Sequence, residues 1–234
     1  MAASPEPKGR RTRAEQRAAT EKLILDTAEE LFSQRGYFGV TIKDVADAMG
    51  IHPALIHYYH AGKKAIFDAV FERRVGYAVT VRTAGLDAYE AKVGDHPTVE
   101  GVLRAYYDGA FDVYIKGDEG WNAFGRIFAQ VNNAPGYGAE KMDLYFDPLV
   151  LRLIDLLQKA LPDADPRDLF WSFQFTSGAY TLILSRTGRI DRLSDGLCRS
   201  DDFEAVRERF VTFMAAGFDA LYKARQTRGA PSAG

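Results

Sequence analysis

TIKDVADAMGIHPALIHYYHAGK, residues 41–63, has the grammar of two short helices joined by a tight turn. Thr41 is a helix-capping residue type, and Asp44, three residues on, completes a reciprocal capping arrangement. Val45, Ala46 and Met49 fall on one face at helical spacing while Lys43, Asp44 and Asp47 fall on another, which describes a half-buried helix. Gly50 stands where the chain must turn abruptly, and glycine takes a positive φ there without steric cost. Pro53 is preset for the first turn of a second helix, where its missing N–H costs nothing. Ile51, Ile56 and Tyr59 are expected to pack back on the core. A small Ala46 lets two helices cross closely, and the order Ala46, Gly50, Ile56 is the spacing of a helix-turn-helix, whose second helix lies in the DNA major groove. An ordinary helical hairpin inside an all-α bundle has the same spacing.

Working outward, a chain of 234 residues with 47% hydrophobic content can bury one large or two modest cores. A net charge of −2 excludes a generally cationic nucleic-acid coat, so any DNA contact must come from a local patch. Residues 1–74 carry 12 Lys plus Arg against 10 Asp plus Glu, a mild asymmetry of the required sign. The single cysteine, Cys198, has no internal disulfide partner, and no Cys/His set has zinc spacing, so neither a metal nor another cofactor is expected. No 18-residue apolar run and no signal-peptide core occur, which makes a soluble, cytoplasmic protein without a membrane partner the expectation.

Before the opening stretch, residues 1–13 are too polar to fold and cluster Lys8, Arg10, Arg11 and Arg13. They read as a flexible basic arm, either a solvated tail or a phosphate- or minor-groove-contacting arm. A helix over residues 14–35 follows, with Ile24, Ala28, Leu31 and Phe32 on one stripe and Gly36 as its stop. After it, His60, Ala61 and Gly62 form a turn, and Lys63 begins a fourth helix that runs through Ile66, Phe67, Val70 and Phe71 towards residue 91.

Over residues 20–72 this order resembles the DNA-binding domain of the tetracycline-repressor (TetR) family. Gly36, Tyr37, Thr41, Lys43, Asp44, Ala46, Gly50, Tyr59 and Lys63 carry the resemblance. The chain departs from the pattern at His52, where a small helix cap is usual, at His57, where tyrosine is common, and at His60, where phenylalanine is common. The resemblance implies a dimeric regulator whose recognition helix presents His52, Pro53, Ala54, Leu55, His57 and Tyr58 to the groove. Tyr59 and Lys63 would lie near phosphates, with Thr41 and Lys43 completing the DNA-binding set. By its chemistry Leu55 suits a thymine methyl group, or else packs on the first helix. His57 and His60, three apart, could pair on a metal, but no carboxylate or cysteine completes the site.

Beyond residue 73 the pattern stays helical. A fifth helix is expected over residues 98–116, and a sixth carries Trp121, Phe124, Ile127, Phe128 and Val131. A seventh covers residues 139–161 with a kink at Pro148. The eighth starts at Asp165, Pro166 and Asp168, runs to residue 187 and is apolar on nearly every side, so it must be covered twice. The ninth, residues 202–225, aligns Phe203, Val206, Phe210, Phe213, Gly217 and Leu221 in a stripe that wants a partner helix. The resemblance implies that the last two helices form a homodimer with their copies across a twofold axis; the alternative is that both stripes are satisfied within one subunit. The expectation is an all-α chain of about nine helices: an arm (1–13), a helix-turn-helix domain (14–62), a helical effector-binding and dimerisation domain (63–225) and a loose tail (226–234).

By resemblance the second domain is a switch, in which a small molecule releases a repressor from its operator. Polar or aromatic groups at apolar-rich positions are the candidate effector contacts: Trp121, Arg126, Phe128 and Gln130, then Tyr145, then Trp171, Gln174 and Phe175. Their character suits a lipophilic or aromatic effector. An enzyme is the rival from another class, yet there is no phosphate loop, nucleophile elbow or metal cluster, and Asp108 and Asp112, one helical turn apart, are either a solvated face or an acid–base pair. A third reading is a helical small-molecule carrier without specific DNA binding.

Overall fold

The computed structural model describes residues 12–229, with side chains to residue 227, and every regular element in that span is a helix. Eleven helices follow in order: α1 Arg13–Arg35, α2 Ile42–Met49, α3 Pro53–Tyr59, α4 Lys63–Val93, α5 Val99–Lys116, α6 Glu119–Asn132, α7 Tyr137–Tyr145, α8 Asp147–Ala160, α9 Pro166–Ser185, α10 Arg189–Leu193 and α11 Phe203–Gly229. Two compact units divide between Val70 and Phe71, inside α4, so its first turns belong with the helices before it. Of the expected basic arm, Thr12 caps α1 and Arg13 opens it, and residues 1–11 lie outside the described residues.

In the first unit, Ile24, Ala28 and Phe32 of α1, Val45 and Ala46 of α2, Ile56 of α3, and Ile66, Phe67 and Val70 of α4 are buried. The ring of Phe67 meets Phe32 edge-on at 5.1 Å and Tyr37 at 5.0 Å, which fixes the start of α4 against the end of α1. Such aromatic pairs add about 0.5–1.5 kcal/mol beyond the area they bury. The stop expected at Gly36 is present, with φ 72°.

In the second unit, α11 packs on α5 and α9, and α9 packs on α6. The rings of Tyr107 and Phe111 from α5, Tyr180 from α9 and Phe210 from α11 meet at centroid distances of 5.0–5.4 Å and form the centre of this core. Burial pushes the Tyr107 phenol well above its ordinary pKa, and Tyr180 shifts the same way for the same reason.

Three expectations need correction. The helix expected over residues 139–161 is two helices, α7 and α8, meeting at Phe146. Pro148 has no N–H for a helical bond and its ring crowds the preceding turn; it sits instead in the first turn of α8, while the Phe146 N–H closes α7 on the Met142 carbonyl at 2.9 Å. The short α10 was not foreseen; it follows Arg186 and Gly188, both at positive φ, which set the chain into a new turn. The last helix runs through residues 226–229, so the tail begins later than expected, and residues 230–234 lie outside the described residues. The stripe read on the last helix is divided within the protomer, its first part covered and its later part open. Phe203 and Phe210 are buried together with Val211, Ala215 and Phe218, while Phe213 is 73% exposed.

The last two long helices each keep an apolar face open within the protomer. On α9, Leu169, Ser172, Thr176 and Tyr180 turn inward, and Trp171, Phe175 and Leu182 turn outward. On α11, Phe213, Gly217 and Leu221 are exposed. Among the described residues no helix is long and apolar enough to cross a membrane.

Candidate nucleic-acid interface and ligand cavity

The start of α2 is held by the reciprocal cap. Thr41 Oγ1 accepts the Asp44 N–H at 3.2 Å, and the Asp44 carboxylate accepts the Thr41 N–H at 2.7 Å. The Thr41 hydroxyl, the Thr41 N–H and, more weakly, Arg35 hold the Asp44 carboxyl below the usual carboxylate range. At the far end, the Gly50 N–H bonds the Asp47 carbonyl at 3.1 Å and the Ile51 N–H bonds the Ala46 carbonyl at 3.0 Å, a Schellman closure. Gly50 has φ 65°, and a Cβ there would meet nothing within 4 Å, so the backbone angle and not crowding demands glycine.

The next helix is begun by an imidazole. His52 Nδ1 accepts the Ala54 N–H at 3.2 Å, which keeps that nitrogen free of a proton and leaves Nε2 as the N–H of the neutral ring. Ile56 is the fully buried anchor of α3. Around it His52, Ala54, Leu55, His57 and Tyr58 are exposed, and Pro53 and Tyr59 are half-buried. Leu55 therefore does not disappear against the first helix; it is 40% exposed.

The cations near this surface are partly engaged. Lys43 Nζ pairs with Asp47 at 2.5 Å across one helical turn, both side chains exposed. Lys63 Nζ donates to the Tyr37 carbonyl at 3.0 Å and lies 4.5 Å from the centre of that ring, so its first task is to tie α4 to the α1–α2 connection. Arg17, not singled out in the sequence, lies over Tyr58 at 5.6 Å and Tyr59 at 6.0 Å. Its signal was faint: α1 carries several exposed charges, and only the fold selects this one. His60 caps the end of α3 through its N–H, and its buried Nε2 has no hydrogen-bond partner. Among the described residues no group of three His, Cys, Asp or Glu could hold a metal.

The second unit contains a small cavity of about 30 Å³. Its buried floor is Arg82, Tyr106, Phe128, Phe146 and Tyr180, and its half-exposed rim includes Asn132, Met142, Phe173 and Ser177. Of the expected effector contacts, only Phe128 lies on it. Trp121 is elsewhere, against Arg74 at 5.1 Å and Tyr77 at 5.5 Å. Tyr145 packs beside Phe71 and reaches Glu72. Arg126 and Gln130 are half-buried on α6, and Trp171, Gln174 and Phe175 are on the outward face of α9. The eight are thus not gathered in one cavity. Helical spacing explains the split on α9: positions 171, 174, 175 and 178 share the side opposite to 169, 172, 176 and 180.

Arg82 is the residue that sequence reading passed over. It occupies the buried stripe of α4 formed by Phe71, Val75, Ala78, Arg82 and Leu86, and an arginine at a core position was the available signal. The Asp108 and Asp112 pair resolves differently on its two members. Asp112 is held by Arg207 at 2.9 Å and Lys116 at 2.8 Å, while burial raises the Asp108 carboxyl.

Known proteins give the same division of the chain. Residues 24–70 match the description "Bacterial regulatory proteins, tetR family", and residues 104–217 match "Tetracyclin repressor-like, C-terminal domain". The biofilm operon icaADBC HTH-type negative transcriptional regulator IcaR of Staphylococcus epidermidis is 26% identical over 115 residues, 48% of this chain and 53% of that protein. The probable HTH-type transcriptional regulator YttP of Bacillus subtilis is 28% identical over 93 residues, 39% and 42% of the two chains. The chain spans about half the length of the curated relatives it matches. In fold it is similar to the ketosteroid transcriptional regulator KstR2 of Mycobacterium tuberculosis, with a TM-score of 0.60 at 16% identity over 85% of this chain and 94% of that one. With both parts of the family pattern present in one chain and together covering more than half of it, the protein belongs to the TetR family of transcription regulators.

Proposed function

We propose that the protein is a ligand-responsive, DNA-binding transcription regulator, acting as a homodimer on a near-palindromic operator and most concretely as a repressor. The observation that carries this reading is the surface of α3: one buried anchor, Ile56, and an outward set of His52, Ala54, Leu55, His57 and Tyr58 held by caps at both ends of α2 and at the start of α3. Seven residues with so little buried area are not a core element, and an exposed leucine beside hydrogen-bonding rings suits base edges and thymine methyl groups. His52, Pro53, Ala54, Leu55, His57 and Tyr58 are assigned to the groove, and Thr41, Lys43, Tyr59 and Lys63 to the phosphates. The direction of control follows IcaR, by name a negative regulator.

The homodimer is assigned to the open faces of α9 and α11. Trp171, Phe175, Leu182 and Phe213 are too much exposed apolar surface for an isolated protomer. Ligand response is assigned to the second unit, with Trp121, Arg126, Phe128, Gln130 and Tyr145 on its inner helices as contacts. Trp171, Gln174 and Phe175 lie on the outward face and would act at the seam.

Selection of bound fragments from the source genome, followed by fluorescence anisotropy on the enriched sequence, tests the reading. A palindromic site bound at least ~10³-fold more tightly than random DNA is the expected result. Equal binding to all fragments would instead support a helical carrier without specific DNA recognition.

A further inference from the structure

A buried charge without a counter-ion costs several kcal/mol, so it is kept where something else requires it. Arg82 is such a charge, at 4% exposure. Its Nη1 donates to the Ala78 carbonyl at 2.7 Å and its Nη2 to the Tyr180 hydroxyl at 3.1 Å, both neutral acceptors. The rings of Tyr106, Phe146 and Tyr180 lie 5.5–5.8 Å from its central carbon. No carboxylate among the described residues pairs with it, and its Nε is buried with no hydrogen-bond partner. Burial opposes the charge and the surrounding tyrosines favour it, with the balance raising its pKa; arginine stays protonated in any case.

Those tyrosines are neutral phenols, because burial raises the pKa of Tyr106, Tyr107 and Tyr180 alike. They orient the guanidinium without neutralising it. The void beside it, about 30 Å³, is the space of one or two waters and not of a whole ligand. Such a space takes the head of a ligand and leaves the rest to the rim.

We propose that Arg82 anchors the carboxylate of a small lipophilic acid, taking its two oxygens on the unused Nε–H and a neighbouring Nη–H. Fork-to-fork pairing is what guanidinium geometry favours over a point charge. The acid's apolar remainder leaves across the half-exposed rim, where Met142 is unbranched and yields easily and Phe173 adds apolar surface. Asn132 and Ser177, already joined at 3.2 Å, supply a polar edge for the head. A phosphate dianion is disfavoured, since the site offers one cation and no second one among the cavity's lining residues. The inference deepens the ligand-responsive reading and rests on it only for what binding does to DNA.

The probes are octanoate and phenylacetate with their matched alcohols, octanol and 2-phenylethanol, measured on the full chain by thermal stabilisation and calorimetry. Each acid should bind at least ~10-fold more tightly than its alcohol, the scale of a charged hydrogen-bonded pair. Arg82→Gln should erase that preference, and Arg82→Lys, which keeps the charge and loses the fork, should restore part of it. Equal affinity for acid and alcohol, a preference that survives in Arg82→Gln, or no stabilisation by either acid overturns the proposal. Should circular dichroism show Arg82→Gln unfolded, the parent protein decides through its Arg82 Nε–H resonance: octanoate must shift it, and an unmoved signal overturns the site. Operator anisotropy with the same acids is read separately. Acid binding that leaves DNA affinity unchanged sinks the switch and keeps the site, whereas a switch driven only by neutral ligands sinks the site and keeps the switch.

Discussion

The Arg17 guanidinium lies 5.6 Å from the centre of the Tyr58 ring, so the first helix supports the exposed end of the third. An exposed cation–π contact contributes roughly 0.5–1 kcal/mol. Arg17→Ala should destabilise the first unit by that amount in urea unfolding, with Arg17→Lys intermediate. It should also loosen Tyr58, lowering affinity for the preferred DNA sequence more than for random DNA. Unchanged unfolding in Arg17→Ala would mean that the contact is not populated.

Lys63 is shared between fold and proposed phosphate contact, and the two roles separate experimentally. Loss of its bond to the Tyr37 carbonyl should cost about 0.5–1.5 kcal/mol of stability in Lys63→Ala. Loss of a phosphate contact should reduce the salt slope of DNA binding by roughly one, on every sequence. His57→Ala and Tyr58→Ala should instead cost ~1–3 kcal/mol chiefly on the preferred site. A Lys63 variant that loses stability while keeping the parent's salt slope assigns the residue wholly to the fold.

Asp44 gives the first unit an acid dependence of known sign. Its folded pKa is depressed by Thr41, so the stability it contributes is fully present above the unfolded value and is lost as pH falls through the lower folded one. Melting temperature followed from pH ~5 to ~2 should fall, and Asp44→Asn should start lower and fall less over that window. Parallel curves for the two proteins would show that the cap does not couple to folding.

Gly217→Arg tests association without disturbing the protomer. Gly217 is exposed on α11, and a Cβ there meets nothing within 4 Å. The variant should keep the parent's circular dichroism while sedimentation shows monomers in place of dimers. A folded variant that remains dimeric moves the interface away from α11.

The helix-turn-helix was legible because each of its signals is local. Thr41 with Asp44, Gly50 and Pro53 speak within a few residues, and the structure meets them with caps, a positive φ and a helix start. The break at Pro148 had a local signal that admits two outcomes, a kink or a new start, and the chain takes the new start. The stripe through Phe213 has no marked side at three- and four-residue spacing; which part of it α11 buries within the protomer depends on where α5 and α9 lie. Arg82 was passed over because a charged residue is by default assigned to water. Only its neighbours Phe71, Val75, Ala78 and Leu86 show it inside.

His52 spends one ring nitrogen on the Ala54 N–H and keeps the other. The imidazole therefore faces outward with a polarity fixed by the backbone behind it. Towards a base it can offer a hydrogen and cannot accept one, which admits the N7 and O6 of guanine, the N7 of adenine and the O4 of thymine and rejects the exocyclic amine of cytosine. A helix start of this kind is a one-way valve for hydrogen bonds: the bond that begins the helix also sets what the ring presents outward.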